Sequence, residues 1–596
     1  MKRLILSGVI LLAIFLTISA AGGPYDGRYL LREVNYTLNT DGSWVREVHT
    51  RLQYNSHTAT RRMGETFIAY NPRFQKLEVI GSVTTMADGT KVPLPDNALN
   101  PVLPRVAHNH AGFSHLREMV VTHTGLERGA VVDFSYRLTT AAGFQPGFSA
   151  VEPLRFPLPT DRLVIRVTAA AGTNLAYAAP MEAEPRISTQ NGMKTWTWTR
   201  ENLAPAVGEH MMPAGYNPVL LLGEKASWKS LLGKLDEKVA LPESLHDKIR
   251  KAVRETSSVV DRMVRIGSMV DDVVELCRVP LDLSGFTFRS PEEVWLARSG
   301  TAGEKALIYH AALKSAGLKS TILIYSNQGW MDGAGPALSQ IGGFLVEVLD
   351  AGDRRWYLDP QGNMRGVNPG SLAGRVMYRV GEDRFERLAP DAPEDNRIDV
   401  RGEWEIDSAD KNRGWIEISI SGAWMDYPRA MSDPAGFAEK LLKTMLPVEK
   451  VETETVRGIT PLSLRVKFRL ESLRTDQLSS GIYTLDSPKI EKISPDIIAA
   501  DKRLSPMELL YPFRVTAEIV VVTKDQISLE YVRDHSVVET GGVIFSSSAK
   551  PIEDNQLLLR WDMLVSRRIE VDGYGEFRSA IARYLNFGPW LTLIDG

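Results

Sequence analysis

The strongest constraint on this chain is a change of hydrophobic period along its length. From about Tyr25 to Arg200, and again from about Val380 to the end, apolar and polar residues alternate between turn signals. In the middle the spacing drifts toward 3.6 residues. Alternation puts successive side chains on opposite faces of a strand, so both outer stretches predict sheets with one buried face. Ala130-Val131-Val132-Asp133-Phe134-Ser135-Tyr136 and Trp415-Ile416-Glu417-Ile418-Ser419-Ile420 are clear examples. Asp41-Gly42 and Asp88-Gly89 supply residues that tolerate positive φ, as tight turns between strands require.

The middle reads as helices from Leu245 to Val253, from Val259 to Cys277 and from Ser299 to Ala316, the last closed by Gly317. Three β-like runs follow, Ser320 to Tyr325, Phe344 to Leu349 and Arg355 to Leu358. Two further helices are expected in the last stretch, near Ala435 to Met445 and Glu576 to Leu585. No short internal repeat is visible.

The chain has 596 residues, 43% hydrophobic and 24% charged, which excludes a disordered protein and suffices for three or four domains. Its net charge of -3 is well mixed, so no basic face for nucleic acid is expected. Met1-Lys2-Arg3, an apolar run from Leu4 to Ile18 and Ser19-Ala20-Ala21-Gly22-Gly23 have the layout of a secretory signal peptide. Cleavage is expected near Ala21, with export to the periplasm; an uncleaved anchor is the alternative. The apolar run is shorter than the roughly 20 residues a spanning helix needs, and no later segment reads as a membrane span. With Cys277 the only cysteine, no disulfide within one chain can form.

Arg298-Ser299-Gly300-Thr301-Ala302-Gly303-Glu304-Lys305-Ala306-Leu307 resembles the active-site helix of bacterial transglutaminase-like proteins. Trp356-Tyr357-Leu358-Asp359-Pro360 resembles that family's strand ending in Asp-Pro, and Ile341-Gly342-Gly343-Phe344 occupies the place of its Asn-His. Tyr70-Asn71-Pro72, the Asp88-Gly89 turn and Gly129 to Tyr136 resemble the domain of unknown function, family number 3857, that often precedes this core. The resemblance implies an α+β multidomain chain: a signal peptide at 1–21, a β-rich domain at 24–205, a papain-like, transglutaminase-like α+β core at 226–375 and a β-rich region at 380–596.

It also implies a chemistry: a thiolate at a helix N-terminus attacks a carbonyl, a histidine moves the proton and an aspartate orients the histidine. Here the cysteine position aligns with Ala302 and the histidine position with Gly343, while Asp359 remains. These are vestigial triad positions, and no catalytic residue is expected. Loss of such a nucleophile costs about 10⁶ in turnover. Cys277 and Thr301 are the candidates for a relocated nucleophile; their blander readings are a small buried hydrophobe and a helix cap. His310, about 12 Å along the helix axis from Ala302, is too far to serve as base.

His108, His110, His115 and His123 fall close together, and His108 and His110 are weak candidate metal ligands in what reads as a loop. Trp404, Trp415, Trp424, Tyr427 and Phe437 suggest either a sugar platform or, from their alternation, a core. No cofactor is expected. The leading expectation is a non-catalytic envelope protein that binds a peptide, a cell-wall fragment or a partner protein. The alternatives are an active acyltransferase or amidase, and an architectural envelope component.

Overall fold

In the computed structural model the described residues are 25–178, 184–224, 228–232, 235, 240–256, 258–286, 288–328, 338–362, 367–408, 411–524, 527–531, 536–553 and 555–595. The expected signal sequence lies outside them.

The first region is organised on seven strands: β1 (Gly27–Leu38), β2 (Trp44–Tyr54), β3 (Gln75–Thr85), β4 (Val131–Thr140), β5 (Thr160–Ala170), β6 (Arg186–Gln190) and β7 (Met193–Leu203). They lie in the order β6-β7-β5-β1-β2-β4-β3, with the short strand Lys91–Pro93 at the edge. Every neighbour pair is antiparallel except β1 with β5. Asn191 and Gly192, both at positive φ, close the β6–β7 hairpin in the left-handed geometry that matches strand twist. One face carries Val34, Tyr36, Val48, Phe134, Ile165 and Trp198 into the interior. The other carries cross-strand ion pairs such as Arg137 with Glu47 (2.6 Å) and His49 with Asp133 (2.8 Å).

Between these regions come α1 (Glu243–Glu255), α2 (Val259–Asp271) and α3 (Ala302–Ser315), then β8 (Lys319–Ser326), β9 (Ile341–Leu349), β10 (Arg355–Leu358), β11 (Val376–Arg379) and β12 (Arg384–Arg387). The five strands form an antiparallel sheet ordered β10-β9-β8-β11-β12. Ile322, Ile324, Phe344 and Val346 meet the helices on one face, and Leu323, Tyr325, Leu345 and Tyr357 form a separate cluster on the other.

The last region repeats the path of the first. Its strands are β13 (Arg397–Ser408), β14 (Lys411–Ser421), β15 (Val448–Thr460), β16 (Ser463–Leu473), β17 (Phe513–Thr523), β18 (Val543–Glu553) and β19 (Gln556–Val565). They lie in the order β18-β19-β17-β13-β14-β16-β15, with Ser536–Thr540 added beside β18. Taken in chain order, each strand occupies the place of its counterpart in the first sheet, and again one pair alone is parallel, β13 with β17. In both sheets a helix enters between the second and third strands, His57–Arg62 in the first and Pro434–Met445 in the last.

The expectation of an α+β chain built around a papain-like core is corrected. Of the described residues 45% are in strands and 22% in helices, with ten α-helices and the strands spread over many separate sheets. The physical reason lies in the packing: the apolar cluster under α1, α2 and α3 continues without a break into Ile398, Val466, Ile519 and Trp561 of the last sheet. Helices in the middle therefore cover a larger β interior. Smaller shifts occur too. The second helix ends at Asp271, six residues before Cys277, and the third begins at Ala302 after the short strand Ser299–Gly300. Trp404 is fully buried while Trp415 stays partly exposed beneath Lys467, 5.1 Å from its ring. Among the described residues no helix is long and apolar enough to cross a membrane.

A connecting segment after β7 ties the first region to the last. The Glu209 carboxylate accepts the backbone amides of Leu504 (2.8 Å) and Ser505 (2.9 Å) and the Ser505 hydroxyl (2.5 Å). Arg503, itself buried, donates to the His210 carbonyl at 2.8 Å.

Candidate functional site

The start of α3 is fixed by a reciprocal cap. The Thr301 hydroxyl accepts the Glu304 amide (3.4 Å), and the Glu304 carboxylate accepts the Thr301 amide (2.8 Å), which satisfies two of the helix's unpaired donors. Thr301 thus acts as the cap, with its hydroxyl engaged. Glu304 is 2% exposed and is neutralised by Arg289, whose Nε and Nη2 both reach it at 2.8 Å. The same guanidinium donates to the Ser299 carbonyl at 2.9 Å. Such a fork-to-carboxylate pair is the geometry that makes a buried carboxylate tolerable.

Ala302 is half-buried on the first turn. Its neighbour Gly303 has no room for a side chain: an added Cβ would lie 2.3 Å from the Phe288 ring and 3.0 Å from Phe344. Phe288 meets Phe344 edge-on at 6.1 Å and Phe286 at 5.4 Å. Phe288 and Phe344 thus wall the first turn of the helix, with Phe286 packed against Phe288.

Gly343 does not face α3. Strand alternation sends Phe344 toward the helix, and a Cβ on Gly343 would point the other way, 1.8 Å from Gln361 Oε1 and 2.4 Å from the Tyr325 hydroxyl. Those two groups bond each other at 2.9 Å, and Gln361 Oε1 also accepts the Phe344 amide at 3.2 Å. Asp359 closes the turn after β10 by accepting the Gln361 amide at 2.8 Å. Neighbours of the aligned positions are therefore linked in a chain, Gly303 to Phe344 to Gln361 to Asp359, while the residue presented to α3 from β9 is Phe344 rather than Gly343. Nothing in one sequence separates these adjacent registers.

Cys277 lies nearer to this place than its numbering suggests, since its amide donates to the Gly300 carbonyl at 2.8 Å. Its thiol points away, into a cluster with Ala107, Phe113, Leu116 and Val279, and contacts the Val106 carbonyl at 3.9 Å. It is 1% exposed, and burial pushes the thiol up to about 11. His310 sits on the far part of α3, its Nδ1 2.9 Å from the Ser320 hydroxyl. On the next turns of α3, Lys305 reaches Asp271 at 2.6 Å and the Tyr309 hydroxyl donates to the same oxygen at 2.5 Å. Burial, and then the Asp271 charge, raise the Tyr309 hydroxyl well above its ordinary value.

The four clustered histidines do not converge. His108 is exposed and bonds the Leu103 carbonyl at 3.2 Å; His123 is buried between Thr66 (2.9 Å) and Ser82 (3.0 Å), where burial lowers it to about 4. Among the described residues no three His, Cys, Asp or Glu side chains gather as a metal site would need. A polar surface depression on α1 is lined by Asp247, Arg250, Lys251, Arg254 and Glu255 and includes none of the residues above.

Residues 40–207 match DUF3857, described as a domain of unknown function with solved structure. A crystal structure from Parabacteroides distasonis ATCC 8503, named as a candidate protease, superposes with a TM-score of 0.73 at 21% identity. The likeness covers 96% of this chain and 99% of that one, and at this identity it is a likeness of fold. An M1 zinc metallopeptidase variant from Deinococcus radiodurans covers 49% of this chain and 64% of its own at 14% identity, with a TM-score of 0.19 too low to support any argument. No curated protein matches significantly.

Proposed function

We propose that this chain is an exported, transglutaminase-like envelope protein that binds a peptide, a cell-wall fragment or a partner protein without catalysing a reaction on it. The observation that carries the reading is the makeup of the α3 N-terminus: Ala302, which the resemblance aligns with the nucleophile, stands on the first turn, and the rings of Phe288 and Phe344 close in on Gly303 beside it. A helix N-terminus supplies partial positive charge, yet acyl transfer needs a nucleophile and a proton carrier as well. Walls of aromatic rings suit an apolar or backbone-rich ligand. Asp359, Gly343 and Ala302 are in this reading remnants, the first kept for its turn. The ligand class rests on analogy with transglutaminase-like proteins.

A second reading, an active amide-cleaving or acyl-transferring enzyme with a relocated nucleophile, draws on the candidate-protease name of the structural neighbour. Against it, a thiol at about 11 leaves about one Cys277 in ten thousand ionised at neutral pH, inside an apolar cluster. Thr301 is spent on the helix cap.

The test measures dye-labelled casein cleavage and amine incorporation by the mature chain, with and without iodoacetamide. No turnover above buffer is expected, and iodoacetamide-sensitive turnover would sink the reading. Calorimetry against muramyl peptides and free peptides tests the binding half, where absence of heat for every class counts against it.

A further inference from the structure

The first region touches the middle of the chain at the places that wall the α3 N-terminus. On one side, the Phe144 carbonyl accepts the Phe286 amide at 3.0 Å, and a Cβ on Gly285 would be 2.7 Å from that carbonyl, so the two backbones meet directly. Phe144 is held from behind by Trp44 and Phe74, at 6.3 and 5.7 Å, in the first region's own interior. Nearby, the Ser149 hydroxyl accepts the Ser339 amide at 3.1 Å and meets its hydroxyl at 3.0 Å, in the turn that leads into β9. On the other side, the ring of Phe113 lies under the Arg289 guanidinium, 4.7 Å away, and Ala107, Phe113 and Leu116 pack on Cys277, Val279 and Leu283.

Arg289 is where these contacts and the helix start come together, because the group that stacks on Phe113 is the one that neutralises Glu304. Phe286, which bonds the first region, stands beside Phe288, which walls Gly303. The contact set is therefore not an arbitrary interdomain patch.

We infer that the first region is a built-in cover, seated through loops 103–116 and 141–149 on the walls of the α3 N-terminus, and that it must swing away before a ligand of peptide size reaches Ala302. The role of this place as a binding site rests on the function proposed above; the cover itself does not. Contacts of this kind, a few hydrogen bonds and one small apolar cluster, are of the strength that lets domains open and close.

The experiment places a reporter thiol in the full mature chain, Ala302→Cys, and compares labelling by small iodoacetamide with labelling by a polymer-linked maleimide. Because Cys277 itself packs against loop 103–116, every chain compared also carries Cys277→Ala, so that the reporter is its one thiol. The contact is then loosened by Phe113→Ala or, independently, by Ser149→Val, which removes the acceptor of the Ser339 amide. Either variant is expected to raise polymer labelling at least tenfold and iodoacetamide labelling less than twofold. Equal polymer labelling of intact and loosened chains overturns the cover, and so does an equal rise for both reagents, the mark of general unfolding. The binding reading fails separately if neither muramyl peptides nor free peptides protect the reporter in the loosened chain.

Discussion

On the inner face of the first sheet Arg46, Glu152, Tyr36 and Tyr136 meet in a buried polar knot, whereas the inner face of the last sheet presents Ile398, Val400, Ile416 and Phe468 to an apolar interior. The two sheets follow the same path, strand for strand, with the same single parallel pair. In the knot, Tyr36 donates to Glu152 at 2.6 Å and Arg46 reaches Glu152 at 2.9 Å and Tyr136 at 2.6 Å. Burial would lower Arg46, but the charge of Glu152 outweighs it and holds the guanidinium protonated. The apolar residues around the knot fall into two clusters, while those of the last sheet belong to one continuous cluster shared with the middle helices. One topology thus accommodates two kinds of interior, because strand path depends on alternation and turns, and the chemistry of the inward positions is a separate choice.

The largest expected effect tests the polar knot. Glu152→Ala should cost about 3–5 kcal/mol, because it leaves Arg46 charged with no counter-charge, only the hydroxyls of Tyr36 and Tyr136 beside it. Replacing both, as Glu152→Leu with Arg46→Met, should recover most of that loss. Hydrogen-exchange protection across β1 and β2 is the readout, and a cost below about 1 kcal/mol would erase the contrast between the sheets.

In the last sheet, Phe468→Ala should cost about 3–5 kcal/mol as a core cavity. Since its cluster is continuous with the helices, protection should fall in α3 as well as β16 and stay intact in β1. Unchanged protection in α3 would mean that the continuity is geometric and not energetic.

Acid should separate the regions next. His123 titrates near 4 in the folded chain, below its ordinary value near 6.5, so the folded state binds the proton less readily than the unfolded state. Its contribution is present above about pH 6.5 and is lost as pH falls from there toward 4, a swing of about 3 kcal/mol. His123→Gln, whose amide can bond Thr66 and Ser82, should flatten the thermal-stability profile of the first region over that window. An unchanged slope would exclude His123 as its source.

The smallest effects should be equal in the two sheets. Arg137→Ala and Arg560→Ala remove exposed cross-strand pairs with Glu47 and Glu518, and each should cost less than about 1 kcal/mol in urea unfolding. A large loss in only one would show that the outer faces differ after all.

Much of the strand content was legible, because Trp415 to Ile420 and Val132 to Tyr136 alternate cleanly and both lie in strands. The helix cap at Thr301 was legible as well, since a glutamate three residues on completes a local signature. What alternation cannot reveal is the partner of each strand, so the parallel pairs and the shared path of the two sheets were invisible. The middle was read as a self-contained α+β core because helix period is local, whereas the continuity of its apolar cluster with the last sheet is not. At the candidate site, Gln361, Tyr325 and Phe288 escaped notice because each acts on a residue distant in sequence. Which of Gly343 and Phe344 faces α3 was not legible either, because a shift of one residue, trivial in a sequence, reverses the face of a strand.

The crowding around Gly343 also couples positions that are far apart in the chain. A Cβ there would lie 1.8 Å from Gln361 Oε1 and 2.4 Å from the Tyr325 hydroxyl, so any side chain at 343 must displace the ends of both. Moving Gln361 gives up the bond that anchors the Phe344 amide. A substitution on this strand is therefore felt in the turn after β10 and, through it, one residue along the strand itself.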